Sequence, residues 1–143
     1  MSIQAPVLIV DGNSHMTAML QRFLTRQQVD AQGVLSPAEA RTLLGQQPFG
    51  VVLTDNFAPS DDGLALLRYI RRTVPGTLGI LMAAFSSPEL CHAALAEGAY
   101  ACLAKPFRLR DFWAIMQPAL QGLPAPVTSG RDDQGGLRQQ PEG

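Results

Sequence analysis

Five short apolar segments, each followed by a longer stretch with helical periodicity, constrain this chain more than any other feature. The segments are Val7-Leu8-Ile9-Val10, a weaker Ala31 to Val34, Val51-Val52-Leu53, Gly79-Ile80-Leu81-Met82 and Ala101-Cys102-Leu103. The clear ones are apolar without polar alternation, the pattern of strands covered on both faces. Strands of that kind, alternating with helices, imply β/α units around a parallel sheet. The first intervening stretch sets the helical period. Met16, Met19, Leu20, Phe23 and Leu24 fall at i, i+3, i+4, i+7 and i+8, one apolar stripe.

The other helices announce themselves at their ends and along their inner faces. Ser36-Pro37-Ala38-Glu39 predicts a start: Ser36 caps, Pro37 suits the first helical position, and Glu39 reaches back to complete a capping box. Ser86-Ser87-Pro88-Glu89 repeats the device before the fourth helix. A third helix, Asp62 to Arg72, carries Leu64, Leu67 and Ile70 inward. The fifth carries Leu109, Phe112, Ile115, Met116 and Ala119. The Met and aromatic residues on these stripes read as core packing.

Composition sets the outer bounds. At 143 residues, 46% apolar and 16% charged, the chain has the make-up of one globular domain. Its last 23 residues, Gln121 to Gly143, hold five glycines, three prolines and four apolar residues. They cannot bury a face, so residues 1–120 read as the domain and 121–143 as a disordered Gly/Pro-rich tail or linker. The apolar runs fall far short of the roughly 20 residues that span a bilayer, and Met1 to Pro6 lacks the marks of a secretory signal. A cytoplasmic location and no membrane partner are expected. A net charge of −1 leaves no electrostatic footprint for nucleic acid. Cys91 and Cys102 are too few for a disulfide framework and read as free, buried thiols.

In a parallel sheet, ligands bind beyond the carboxyl ends of the strands. The first strand ends in Asp11, the third in Asp55, and the fifth is followed by Lys105, the one lysine among eleven basic residues. Two carboxylates and an ammonium on one sheet edge suit a hard divalent cation and the anion it brings. An aspartate there can also attack a phosphoryl group and form an acyl phosphate. The plainer reading of Asp11 and Asp55, taken singly, is helix capping or turn formation. Asp61 and Asp62 read as caps of the third helix. His15 and His92 have no metal-site spacing and read as surface residues. Arg68, Arg71 and Arg72 read as a solvated helix end. Trp113, with Tyr100, is a candidate docking surface.

Three stretches carry a family resemblance. Leu8-Ile9-Val10-Asp11, then Leu53-Thr54-Asp55-Asn56-Phe57-Ala58-Pro59-Ser60-Asp61-Asp62-Gly63-Leu64, then Leu103-Ala104-Lys105-Pro106-Phe107 resemble a response-regulator receiver domain of the chemotaxis single-domain type. The likeness covers residues 6 to 120, including Glu97-Gly98-Ala99. It implies a (βα)5 three-layer sandwich with a five-stranded parallel sheet of flavodoxin-like order 2-1-3-4-5. It further implies that Asp55 accepts a phosphoryl group from a histidine kinase or phosphotransfer protein, and that output runs through a downstream protein partner. Asp11, Asp55 and the Phe57 carbonyl would hold Mg2+, Lys105 would contact the phosphoryl oxygens, and Lys105-Pro106 would be a cis peptide.

Three matched positions depart from the family pattern. Gly12 stands where a second acid follows the first strand, which weakens the expected Mg2+ site. Ala83 stands where a Thr or Ser hydroxyl would bond the phosphoryl group, and Cys102 replaces the switch aromatic of the fifth strand. These departures support an alternative function, a phosphorylation-independent pseudo-receiver that docks partners. Enzyme readings fare worse. A haloacid-dehalogenase-type phosphatase needs an acid where Phe57 stands, and Asp11 would repel the anion of a flavodoxin-type phosphate loop. With no DNA-binding module in view, the chain reads as a stand-alone receiver or part of a longer regulator.

Overall fold

The computed structural model describes residues 5–84 and 87–126, and the backbone of 130–132 and 136–138. Five strands alternate with five helices: β1 (Val7–Val10), α1 (Ser14–Arg26), β2 (Ala31–Val34), α2 (Pro37–Leu44), β3 (Val51–Asp55), α3 (Asp62–Thr73), β4 (Leu78–Ala84), α4 (Pro88–Ala96), β5 (Ala101–Lys105) and α5 (Leu109–Leu120). These five strands pair in parallel throughout, in the sheet order β2-β1-β3-β4-β5. This is the expected flavodoxin-like (βα)5 layout.

Period-two alternation divides the sheet into two packed faces. Val7 and Ile9 of β1, Val51 and Leu53 of β3, and Ile80 and Met82 of β4 join Leu20 and Leu24 of α1 and Phe112 and Met116 of α5 in one core. On the other face, Leu8, Val10 and Val52 pack with Ala40 and Leu44 of α2 and Leu66 and Ile70 of α3. Leu81 and Ala83 of β4 meet Leu64 and Leu67 of α3 and Ala94 of α4. Every residue of β1 is fully buried, which is why its sequence shows no alternation. The edge strand β2 exposes Gln32 and Gly33, which accounts for its weaker sequence signal. No helix among the described residues is long and apolar enough to cross a membrane.

Local signals mostly act as read. The Asn13 side chain caps α1 by accepting from the amides of His15 and Met16. Ser36 Oγ accepts from Glu39 N, and Glu39 reaches back to Leu35 N, one residue beyond the cap. Of the second expected box, Ser87 precedes α4 without a side-chain cap bond, and Ser86 lies outside the described residues. Asp61 also makes no side-chain cap. It sits in the left-handed region, and its carboxylate accepts from Asn56 Nδ2 instead.

Three further expectations change. Cys91 and Cys102 are not free thiols but a disulfide joining α4 to β5, with Cα atoms 5.5 Å apart. The strand places Cys102 facing the first turns of α4, a juxtaposition that spacing along the chain does not reveal. Trp113 is not an exposed docking residue. Its ring packs edge-on against Phe23 of α1, as Phe112 does, and the Tyr100 hydroxyl donates to the Leu123 carbonyl. Arg68 and Arg71 are not simply solvated, since Arg68 pairs with Glu97 and Arg71 donates to the Glu97 carbonyl. In the segment read as a tail or linker, β6 (Gly130–Asp132) and β7 (Gly136–Arg138) pair antiparallel as a separate two-stranded sheet.

Candidate functional site

Parallel strands deliver their last residues to one edge, and register decides which of them meet. Val10 is level with Thr54, so Asp11 and Asp55 leave β1 and β3 side by side. Asp55 is level with Met82, and Met82 with Leu103, so Lys105 starts two residues further along β5. Its long stem spans that offset. The Lys105 ammonium donates to Asp11 Oδ2 at 2.7 Å and to Asp55 Oδ1 at 2.8 Å. The three candidates read from sequence therefore meet in one cluster.

Each carboxylate is oriented by a second bond. Asp11 Oδ1 accepts from the Asn13 amide and Asp55 Oδ2 from the Phe57 amide. Asp11 is nearly sealed at 3% exposure, while the side chains of Asp55 and Lys105 are each 23% exposed. Water and a small anion can thus reach Asp55 more readily than Asp11. Burial by itself would lower the Lys105 pKa. The hydrogen bonds and Coulomb attraction of Asp11 and Asp55 outweigh that effect, and the net shift is upward. The ammonium stays charged at neutral pH.

The loop after β3 is held by contacts the sequence reading missed. Phe57 adopts φ 63°, in the left-handed region, and its carbonyl accepts from both the amide and the hydroxyl of Ser60. The hydroxyl bond runs from Ser60 to the carbonyl three residues back, a local side-chain-to-backbone contact. Gly63 in the first turn of α3 lies so close to β3 that a Cβ there would collide with the Asp55 carbonyl oxygen and sit 2.7 Å from Asn56 Cα. Its amide donates to the Asn56 carbonyl. Only glycine permits this approach, which fixes the peptide that carries Asp55. Lys105-Pro106 is cis, as expected, and Ala58-Pro59 is cis as well.

The expected switch positions lie apart from the carboxylates in role. Ala83 is buried within β4, level with Ala104, and packs on Leu64, Leu67 and Ala94 without any donor. Cys102 is committed to its bond with Cys91. Gly12 is exposed beside the Phe57 ring, and a Cβ there would meet nothing closer than 3.6 Å. His15 and His92 are exposed, and no group of three or more metal-ligating side chains occurs among the described residues.

Asp11, Asp55 and the Phe57 carbonyl supply the hard oxygens that suit Mg2+. The Lys105 ammonium bridges the two carboxylates, so Mg2+ would bind them in competition with it, and the Phe57 carbonyl already accepts from Ser60. What the cluster does present is a partly exposed carboxylate oxygen beside a fixed positive charge. That pairing serves a nucleophile meeting an anionic electrophile.

Comparison with known proteins agrees with this architecture. Residues 7–117 match the family model of the response regulator receiver domain. The chain is 33% identical to the response regulator protein PilR of Pseudomonas aeruginosa, over 80% of this chain and 26% of that protein. It is 31% identical to the protein PetR of Rhodobacter capsulatus, over 91% of this chain and 55% of that protein. It thus spans about a quarter to a half of these relatives' lengths. Among solved structures, the beryllofluoride-activated NtrC4 receiver domain dimer superposes with a TM-score of 0.74 at 24% identity, over 82% of this chain and 97% of the other. A response regulator from Thermotoga maritima gives 0.76 at 23%, over 83% and 99%. The chain belongs to the response regulator receiver family of two-component signalling.

Proposed function

We propose that Asp55 accepts a phosphoryl group from a histidine kinase or phosphotransfer protein, and that the product signals through contacts with a downstream protein. Receiver domains are generally phosphoacceptors that interact with kinases and output partners. The observation that carries the reading for this chain is the Lys105 ammonium held 2.8 Å from Asp55 Oδ1. In the transfer, an Asp55 oxygen forms a bond to phosphorus as the bond from phosphorus to the imidazole nitrogen of the donor breaks. The departing imidazole retains the electron pair and takes a proton from solvent. Lys105 then exchanges its contact with Asp55 for the phosphoryl oxygens, offsetting the added negative charge. Residues 1–120 are the signalling unit in this reading, and 121–143 the tail or linker.

Receiver domains typically bind Mg2+ at their acidic pocket. We propose weak binding here, since Gly12 removes one anionic ligand and the cation must displace Lys105. Intact-mass measurement after incubation with acetyl phosphate, with and without Mg2+, tests the whole proposal. One phosphoryl group on the wild type and none on Asp55→Asn supports it. No uptake at any Mg2+ concentration refutes it.

A second reading has its own observations. Ala83 offers no hydroxyl toward a phosphoryl group, and Cys102 is tied to Cys91 in place of a mobile aromatic. These features favour a pseudo-receiver that docks its partner without phosphorylation. Partner binding by the Asp55→Asn protein equal to that of phosphorylated wild type would select this second reading.

A further inference from the structure

We propose that Cys91 and Cys102 form a redox-modification site, oxidised by low-molecular-weight disulfides, whose closure fastens the N-terminal half of α4 to β5. The inference does not depend on phosphorylation of Asp55. The chain has two cysteines in all, and the fold brings both together from separate elements with Cα atoms 5.5 Å apart, inside the range a disulfide requires. Both residues are partly exposed, so a small thiol reagent can reach them. In a receiver with no other cysteines, such a pair reports oxidation at one defined place.

The location gives the bond a consequence. Of the nine residues of α4, Ala94 alone is fully buried. Leu90 and Ala93 pack only in part against the neighbouring core. Ser87 supplies no side-chain cap, and Ala84, the last residue of β4, is exposed. At the other end, Glu97 is tied to Arg68 and Arg71, but those contacts are exposed and weak. Among the described residues, the link at Cys91, the fourth residue of α4, is therefore the one strong attachment of the helix's N-terminal half. Helices held by so little burial open locally at low free-energy cost. A covalent link removes most of that freedom, and its reduction restores it. Cys102 also lies on the strand that ends in Lys105, so the link joins α4 to the strand that serves the carboxylate cluster.

The chemistry is two thiol–disulfide exchanges. The Cys91 thiolate, near the amide-rich start of α4, attacks one sulfur of a small disulfide. The S–S bond of the reagent breaks and one thiolate leaves. The Cys102 thiolate then attacks the Cys91 sulfur of the mixed disulfide, forming the Cys91–Cys102 bond and expelling the second small thiolate. Two protein thiols are oxidised by two electrons in total, one reagent disulfide is reduced to two thiols, and the protons end on those products.

The test uses the full chain, reduced with a phosphine and then exposed to glutathione disulfide, with intact mass, thiol alkylation and amide hydrogen exchange read at each stage. The expected result is a loss of two hydrogens, no alkylatable thiol, and exchange in residues 88–96 slowed about tenfold relative to the reduced protein, with β1 unchanged. Cys91→Ser should take one glutathione adduct and exchange α4 at the fast rate in either condition. Glutathione adducts on both cysteines, or thiols that persist unoxidised, would overturn the proposal. So would an internal disulfide that leaves exchange across residues 88–96 the same in both states.

Discussion

Lys105 holds two carboxylates that would otherwise face one another, so Lys105→Met should destabilise the fold while preserving the bulk of the stem. At an effective dielectric constant of about 20, each contact amounts to roughly 6 kcal/mol of gross attraction. Most of that is cancelled by the cost of withdrawing the charges from water. Removing one member of a buried pair typically costs about 3–5 kcal/mol, because the partner is left uncompensated. Here the side chains of Lys105 and Asp55 are 23% exposed while that of Asp11 is 4%. Water reaches one carboxylate but not the other, so the expected loss is about 2 kcal/mol, or roughly 8 °C in Tm for a fold of this size. Urea unfolding followed by circular dichroism measures it.

If the deficit comes from like charges rather than lost packing, Asp11→Asn in the Lys105→Met background should recover at least half of it. A deficit that Asp11→Asn leaves untouched, or a Lys105→Met protein within about 0.5 kcal/mol of wild type, would refute the argument. The pH dependence follows from the upward shift of Lys105. A folded pKa above the ordinary 10.5 means the ammonium's contribution is complete below that value and is lost as pH climbs through the folded one. The gap between wild type and Lys105→Met should stay flat between neutral pH and about 9, then narrow only above about 10.5. A gap that shrinks between pH 7 and 9 would mean that another group is being measured.

Other positions make independent predictions. Gly63→Ala should cost about 2–3 kcal/mol by denaturant unfolding and lower phosphoryl uptake, since a Cβ there must push the Asp55 peptide out of place. Asn13→Ala removes the cap of α1 and should cost about 1 kcal/mol with uptake at Asp55 unchanged, read by the same unfolding assay and by intact mass. Gly12→Asp places a third carboxylate where a Cβ has open space. Calorimetric titration should then show Mg2+ binding tightened by about tenfold or more, near 1.4 kcal/mol. Equal affinity in the two proteins would mean that Lys105, rather than the missing acid, limits the site.

How far the sequence could be read depends on whether a contact is made along the chain or across it. β1, β3 and β4 were legible because strands covered on both faces lose their polar alternation, while the edge strand β2, exposing Gln32 and Gly33, left a faint trace. Asp11, Asp55 and Lys105 were legible for a topological reason. Every strand of a parallel sheet ends on the same edge, so polar residues at strand ends must gather there whatever the strand order. The order itself is not encoded locally and came with the family resemblance.

What escaped was of another kind. The turn of the Phe57 carbonyl toward Ser60 depends on a left-handed residue that is not glycine, and no side-chain pattern announces it. Trp113 sits one residue past the inward Phe112, yet α1 supplies Phe23 at the height that covers it. The Cys91–Cys102 bond needs α4 laid along β5, and eleven residues of separation are equally compatible with two thiols that never meet. The last two share one cause: each is a pairing between elements that the sheet brings together only after folding. One of them acts on a departure from the family pattern: Cys91 occupies the residue that would otherwise move. The altered position Cys102 therefore reads less as a lost part than as a part replaced, the aromatic by a covalent tie to α4.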